Sequence, residues 1–390
     1  MKVLFFDIQS TGHHSEYIDH IATYLQTNKP KGLFIFVVNT NFYSDFSFIV
    51  DKTKDLNNVF WKYVEGESLK KIFRSNLIRR SFLEYSLMMK YAKKYNVDEI
   101  IALYFNTLQI SCILKRDKYR IKGILFQQFS AMDISGVKNN LKYFRKKITT
   151  LLYLKNSRIK SIFILNDAKS VKSLNTSFNT HIFKTLPDPI PKINISGHIK
   201  FDDFYKGISK EKLIYLHFGG LSDRKGTLEC IEACSLLPSA LQNKICLLIV
   251  GKSSSEEFGL KISETIEKAK KLCDVQILWY KDFVTNEMMK ITFNAAHIVL
   301  MTNKNTEASS GILGHAVASN RKIIALDSGL IKRLVENYRI GFLISDITPN
   351  EIANAIISTL DISEKEVEPE TLVFLNERNP LEFAHRVIYN

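Results

Sequence analysis

The residues with chemistry in them gather at a few corners of the chain. The stretch "TEASSGILGHA", residues 306–316, follows the apolar run "AAHIVLMTN" and precedes another, "KIIAL". Ser309, Ser310 and Gly311 stand where a strand must turn into a helix. The first turn of a helix leaves backbone N–H groups without partners, and with the helix dipole they form an anion site. Serine is also the ordinary N-cap, so a capped helix with no ligand is the plain alternative. Glu307 argues against it, because a carboxylate beside a phosphate is unfavourable unless it holds something such as a sugar hydroxyl.

A second corner is "HFGGLSDRKGTLE". Gly219 and Gly220 end an apolar run, Arg224 and Lys225 are adjacent cations, and Gly226 leads into a helix. Arg offers a planar fork and Lys a point charge, a pair that suits a diphosphate; a solvated basic loop is the bland alternative. A third, "DIQSTGHH", has Gly12 for close backbone approach and His13 or His14 to donate to a phosphate or sugar hydroxyl. His13 is placed with the catalytic candidates, against the reading of a plain tight turn. After "LWYKDFVTNEMM" main-chain groups could read a nucleobase edge beside Phe283, although Tyr280 and Phe283 suit a core equally well.

Four such corners need strand ends to hold them. "KVLFFDI", a turn, a helix carrying Ile18, Ile21, Ala22 and Leu25 on one face, then "GLFIFVVN" make a βα unit of a parallel sheet. "EIIALYF", "IKGILFQQF" and "KSIFILND" extend the series. Pro187, Pro189 and Pro191 then interrupt any regular element, which marks a linker. A second series follows: "LIYLHFGG", helix 227–237, "ICLLIVG", helix 256–272, "VQILWY", "HIVLMT", helix 311–319, "KIIAL", helix 330–337 and "GFLI". "TPNEIANAIISTL" opens with Thr348 as N-cap, Pro349 in the first helical position and Glu351 as capping-box partner. The expected fold is α/β, two doubly wound domains, with ligands outside the carboxyl ends of the strands.

The 390 residues suffice for two cores, and the net charge of +14 suits anionic partners. Zinc spacing, a helix-turn-helix pattern and an RNP-like aromatic motif are all missing, so nucleic acid is set aside. A nicotinamide dehydrogenase is disfavoured too, because no G-x-G-x-x-G follows the first strand. Cys112, Cys230, Cys234, Cys246 and Cys273 form no C-x-x-C pair and read as reduced core thiols, which implies a cytoplasmic setting. The first apolar run is too short for a signal peptide, and no run reaches the ~20 residues of a membrane span.

"GGLSDRKGTLECIEACSLLP", "LLIVG" and residues 306–344 occur in the order seen in retaining GT-B glycosyltransferases of the family 4 type, and the chain resembles them. The resemblance implies two Rossmann-like domains facing across a cleft: 1–190 on the acceptor side, 191–375 binding the nucleotide-sugar donor, and a helix over 376–390 returning to the first domain. It places Arg224 and Lys225 on the diphosphate and Glu307, first of the family's paired glutamates, on the transferred sugar. The second glutamate position is His315, a departure at the ribose contact. "SSG" stands for the family's Gly-Phe-Gly. The family's acceptor-side histidine position falls near Gln127 and Gln128, which makes Gln128 the third catalytic candidate. The implied activity is sugar transfer with retention from a UDP- or GDP-linked donor to a saccharide or lipid-linked acceptor, in surface polysaccharide or glycolipid assembly. No metal or other cofactor is expected. A non-catalytic protein binding nucleotide sugar or glycan is the alternative that His315 suggests.

Residues 138–160 carry Lys and Arg without Asp or Glu, and Leu141, Phe144, Ile148, Leu151 and Leu152 recur at helical spacing. With "KKIFRSNLIRR" at 70–80 this suggests peripheral contact with the anionic inner face of a membrane. The alternative is a helix whose apolar side faces an ordinary core.

Overall fold

The computed structural model describes residues 1–390 except 10–12, 127, 131, 133–135, 194, 196–199, 283, 305–310 and 363–366, and the side chain of His13. The chain forms two compact units: Met1–Pro189 with Arg378–Asn390, and Ile190–Glu377. Each is built on one parallel sheet with helices on both faces.

The first unit holds β1 (Lys2–Asp7), β2 (Leu33–Asn39), β3 (Val59–Val64), β4 (Glu99–Ala102), β5 (Arg120–Leu125), β6 (Ile159–Leu165) and β7 (Phe183–Leu186). Their spatial order is β3-β2-β1-β4-β5-β6-β7. The central strands are unbroken apolar runs because helices cover both faces. One face packs on helices Leu77–Tyr95, Gln109–Leu114 and Val137–Leu154, the other on His13–Asn28 and Pro380–Tyr389. The last helix is anchored at the strand-start edge by Lys122, whose ammonium donates to the Ile388 carbonyl at 2.9 Å and pairs with buried Glu99 at 2.9 Å.

The second unit holds β8 (Leu213–Phe218), β9 (Ile245–Val250), β10 (Gln276–Tyr280), β11 (Ile298–Met301), β12 (Lys322–Leu326) and β13 (Gly341–Ile344), in the order β10-β9-β8-β11-β12-β13. Both sheets therefore reverse their winding once, between β1 and β4 and between β8 and β11. A crevice opens at such a reversal, since neighbouring strands send their following helices to opposite faces.

Several expectations are corrected. β3 and β7 are strands that apolar runs did not reveal. Both lie at sheet edges, and their partial exposure breaks the buried pattern. The helix expected over 227–237 spans Thr227–Cys234. Thr348 does cap its helix, accepting from the Glu351 N–H at 3.3 Å, but the Glu351 carboxylate takes the Ser345 hydroxyl at 2.8 Å, so the reciprocal half of the capping box does not form. The basic helix ends at Leu154, and Ile159 already begins β6. All five cysteines are buried, unbridged thiols. Among the described residues no helix is long and apolar enough to cross a membrane.

Candidate active site

At the β8–β11 reversal the glycines are dictated by crowding. Gly226 has φ +68°, and a Cβ there would lie 2.6 Å from the Thr302 carbonyl oxygen and 2.8 Å from Ile347. Gly251, after β9, would place a Cβ 2.0 Å from the Gly219 oxygen. Gly219 (φ +114°) faces Ile312 of helix Gly311–Ala318, 3.0 Å from where its own Cβ would be. The turn after β8 and the helix after β11 thus come together because these positions lack side chains.

Between Gly220 and Gly226 the chain makes one short turn, Asp223–Lys225, that presents Arg224 and Lys225. The end of β11 holds this turn from below. Thr302 donates its hydroxyl to the Lys225 carbonyl at 2.8 Å, and the Lys304 N–H donates to the Arg224 carbonyl at 2.9 Å. The Lys304 ammonium binds Glu229 at 2.7 Å and Asp223 at 3.3 Å, which leaves those carboxylates engaged away from Arg224 and Lys225. Among the described residues neither cation has an acidic partner. Burial, and then the neighbouring Arg224 charge, push the Lys225 ammonium down to about 8. An exposed Arg224 next to a half-buried Lys225, without an acidic partner among the described residues and just before helix Thr227–Cys234, is suited to a multivalent anion.

Wholly buried His217 supports this corner. Its Nδ1 lies 3.3 Å from the Leu300 carbonyl and its Nε2 3.0 Å from the Thr227 hydroxyl. A carbonyl only accepts, so Nδ1 carries the proton and Nε2 accepts from Thr227. Burial, then the Lys225 charge, push His217 down to about 4, so the ring is neutral near pH 7. His315 is half-buried on helix Gly311–Ala318. Its ring centroid lies 5.9 Å from that of Phe293, which in turn lies 5.1 Å from Phe218. Glu307, Ser309, Ser310 and Phe283 lie outside the described residues.

In the first unit the corresponding corner follows β1. Asp7 is buried; its Oδ1 accepts from the Gln9 N–H at 2.9 Å and its Oδ2 lies 2.7 Å from His14 Nδ1. The seven-residue spacing carries the chain from the strand end into the first turn of helix His13–Asn28, where His14 turns back to the carboxylate. The His14 ring meets Tyr104 edge-on at 5.2 Å, and Tyr104 lies 5.6 Å from Phe126. Asn106 fixes Phe126 by accepting from its N–H at 2.9 Å and donating to its carbonyl at 2.6 Å. Burial raises the Tyr104 hydroxyl above its ordinary value. Gly12 and the His13 side chain lie outside the described residues, as does Gln127. Gln128 is buried, with its amide donating to Ser170 at 2.8 Å and accepting from the Ser130 N–H; Ser170 passes its own proton toward Asp167 at 2.5 Å. Both ends of Gln128 are therefore engaged in holding the loop after β5 to helix Ala168–Phe178.

Sequence reasoning brought together Gly219, Gly220, Arg224, Lys225 and Gly311, which the fold gathers at one reversal. It missed Thr302, Lys304 and His217 there, and the pairing of His14 with Asp7. An aspartate closing an apolar strand, with a histidine in the next helix turn, was the available signal for the last.

Two doubly wound parallel sheets, each with its crevice at the strand reversal, define a GT-B protein, and its fold matches solved members. It is similar to Anabaena HepE, solved in complex with UDP and glucose, with TM-score 0.64 and 12% identity over 99% of this chain and 98% of that one. It is also similar to WaaG, a glycosyltransferase involved in lipopolysaccharide biosynthesis, with TM-score 0.63 and 14% identity over 100% of each chain. Residues 199–370 match the family of glycosyl transferases group 1. Over 367 residues the chain is 22% identical to an uncharacterized glycosyltransferase of Methanocaldococcus jannaschii, spanning 91% of this chain and 87% of that relative. The family match falls on the second unit, and the chain as a whole has the GT-B fold.

Proposed function

We propose that the protein transfers a sugar, with retention, from a UDP- or GDP-linked donor to a saccharide or lipid-linked acceptor in surface polysaccharide or glycolipid assembly. The observation that carries this is the cationic turn Asp223–Lys225 at the β8–β11 reversal, where Lys225 is pushed down to about 8 and has no acidic partner among the described residues. In the reaction the bond from C1 to the diphosphate oxygen breaks and its electron pair stays on phosphate. The acceptor oxygen bonds to C1 on the same face, and its proton passes to the departing phosphate. Negative charge grows on the leaving group, so preorganised cations and N–H groups lower the barrier most.

Arg224 forks onto the diphosphate, Lys225 adds a point charge, and Ser309, Ser310 and Gly311 supply the helix N-terminus. With these cations in place the leaving group needs no metal ion. Gly12, Gly219 and Gly220 allow backbone approach. Glu307 takes hydroxyls of the transferred sugar, His315 the ribose, and the chain around Phe283 the base. On the acceptor side His13 stays a candidate, and His14, oriented by Asp7, joins it. Gln128 takes a positioning role. The setting is the cytoplasm, peripheral at the inner face of the membrane.

The test has two stages. A thermal-shift panel of UDP, GDP, CMP and dTDP sugars identifies the donor by its stabilisation of the folded protein. Nucleotide release and the anomeric proton coupling of the product then read turnover and stereochemistry. Glu307→Ala should abolish release and leave binding largely intact. Binding without turnover would favour the non-catalytic alternative, and an inverted product would rule out retention.

A further inference from the structure

The helix Val137–Leu154 has two apolar sides, and only one of them faces the core. On the inner side Tyr153 and Thr150 are buried, and Tyr143 packs against Phe129 at 5.3 Å. On the outer side Val137 is 85% exposed, Leu141 71%, Phe144 55%, Ile148 55% and Leu151 49%. At 3.6 residues per turn these five, with Leu152, fall within an arc of roughly 100°, opposite the buried side. The apolar stripe is therefore turned outward along the whole helix. Monomeric soluble surfaces rarely carry such a continuous stripe without a partner.

The charge around the stripe says what the partner is. Lys138, Lys142, Arg145 and Lys147 are exposed, and residues 136–160 contain no Asp or Glu. Lys138 and Arg145 flank one margin of the stripe and Lys147 the other, at the same 3.6-residue period. A second patch of the same composition lies on the same sheet face. Phe73, Leu77 and Ile78 are exposed among Lys70, Lys71, Arg74 and Arg79, at the junction of helices Gly66–Phe73 and Leu77–Tyr95. Helix Leu77–Tyr95 packs on Gln109–Leu114, which packs on Val137–Leu154. Helices Leu77–Tyr95 and Val137–Leu154 each lead directly into a parallel strand, so their N-termini lie at the edge where strands end. Leu77, Ile78, Val137 and Leu141 thus share the edge that carries the Asp7–His14 corner.

We infer that helix Val137–Leu154 docks on an anionic lipid bilayer by sinking its outer apolar stripe among the acyl chains while its flanking lysines and arginines meet the headgroups, with the Phe73–Ile78 junction as a second contact. An apolar stripe bordered by cations is the pattern of a helix lying in the interface plane. This rests on the membrane part of the functional reading and is independent of sugar transfer.

The experiment uses the full chain with vesicles of phosphatidylcholine alone or with added phosphatidylglycerol, read by flotation. Wild type should bind only the anionic vesicles. Leu141→Gln, Phe144→Gln and Ile148→Gln together should weaken partitioning about tenfold or more, at little change in thermal midpoint, because all three side chains are more than half exposed. Lys138→Gln, Lys142→Gln and Arg145→Gln together should weaken it about a hundredfold and flatten its salt dependence, at ~1 kcal/mol for each charge near the surface. Vesicle binding that survives both variants would overturn the proposal. So would a lipid-free dimer that the stripe variant converts to monomer, since the face would then be covered by a second copy. Nucleotide release measured without lipid should stay at the wild-type level in the stripe variant; its loss would likewise count against a docking role. Failure of wild type to release nucleotide would touch only the transfer reading.

Discussion

Lys225 makes donor affinity depend on pH in a way that can be calculated. Its ammonium is pushed down to about 8 by burial and by Arg224. A bound diphosphate restores a counter-charge and raises it again, so binding takes up a proton wherever free Lys225 is neutral. The sign follows: affinity is full below about 8 and falls as pH rises through it. About ten in eleven of the free molecules carry the charge at pH 7, and about one in eleven at pH 9. Affinity for UDP or GDP should therefore drop about tenfold between pH 7 and pH 9, if the bound ammonium titrates above about 10. The nucleotide's own terminal phosphate ionises near ~6, below this window. Isothermal titration calorimetry across that range, in buffers of different ionisation enthalpy, measures both the affinity and the proton taken up. Lys225→Met should bind about 10- to 100-fold more weakly at pH 7, as expected for losing a charge-assisted contact, and show no slope. A flat wild-type profile, or the same slope in Lys225→Met, would refute the assignment of Lys225 to the diphosphate.

Three further outcomes follow from the two corners. Gly226→Ala forces a Cβ to 2.6 Å from the Thr302 oxygen at φ +68°, and should cost roughly 2–3 kcal/mol in denaturant unfolding with weakened nucleotide binding. His217, pushed down to about 4 by burial and Lys225, favours the folded state while neutral. That stability is present above the unfolded value near 6.5 and is lost as pH falls toward 4, up to about 3 kcal/mol. Fluorescence-monitored unfolding of a Trp61→Phe background, which leaves Trp279 as reporter of the second unit, should show the loss, and His217→Gln should remove most of it. Asp7→Asn keeps the shape at β1 but withdraws the charge from His14; turnover should fall at least about tenfold while nucleotide affinity, measured by titration, stays unchanged.

The strands that bury both faces were legible as apolar runs, β9 (Ile245–Val250) most plainly, since every residue in it is buried. Edge strands β10 and β13 were legible too, but β3 was not: it is buried only at its two ends, Val59 and Val64, and includes Trp61, which stacks on Phe36 at 4.2 Å only once β2 and β3 pair. Arg224, Lys225 and their glycines were legible because a strand end, two cations and a helix start are consecutive in the chain. Thr302 and Lys304 were not, because their partners are the Lys225 and Arg224 carbonyls, some eighty residues away, and a backbone carbonyl leaves no trace in side-chain spacing.

The amphipathic period of residues 137–154 shows the limit most clearly. Spacing alone specifies that Leu141, Phe144 and Ile148 share one side of a helix, because 3.6 residues make a turn. It cannot specify which side the sheet takes, since Tyr143, Thr150 and Tyr153 share another. Packing decided that, and it turned the apolar stripe outward. The same division holds at the sites. Residue type and local order determined that a cationic turn and a histidine-bearing turn would follow strands. Only the order in which those strands lie side by side put each turn at a reversal of its sheet, opposite a second strand end, where burial lowers Lys225 and a buried aspartate orients His14.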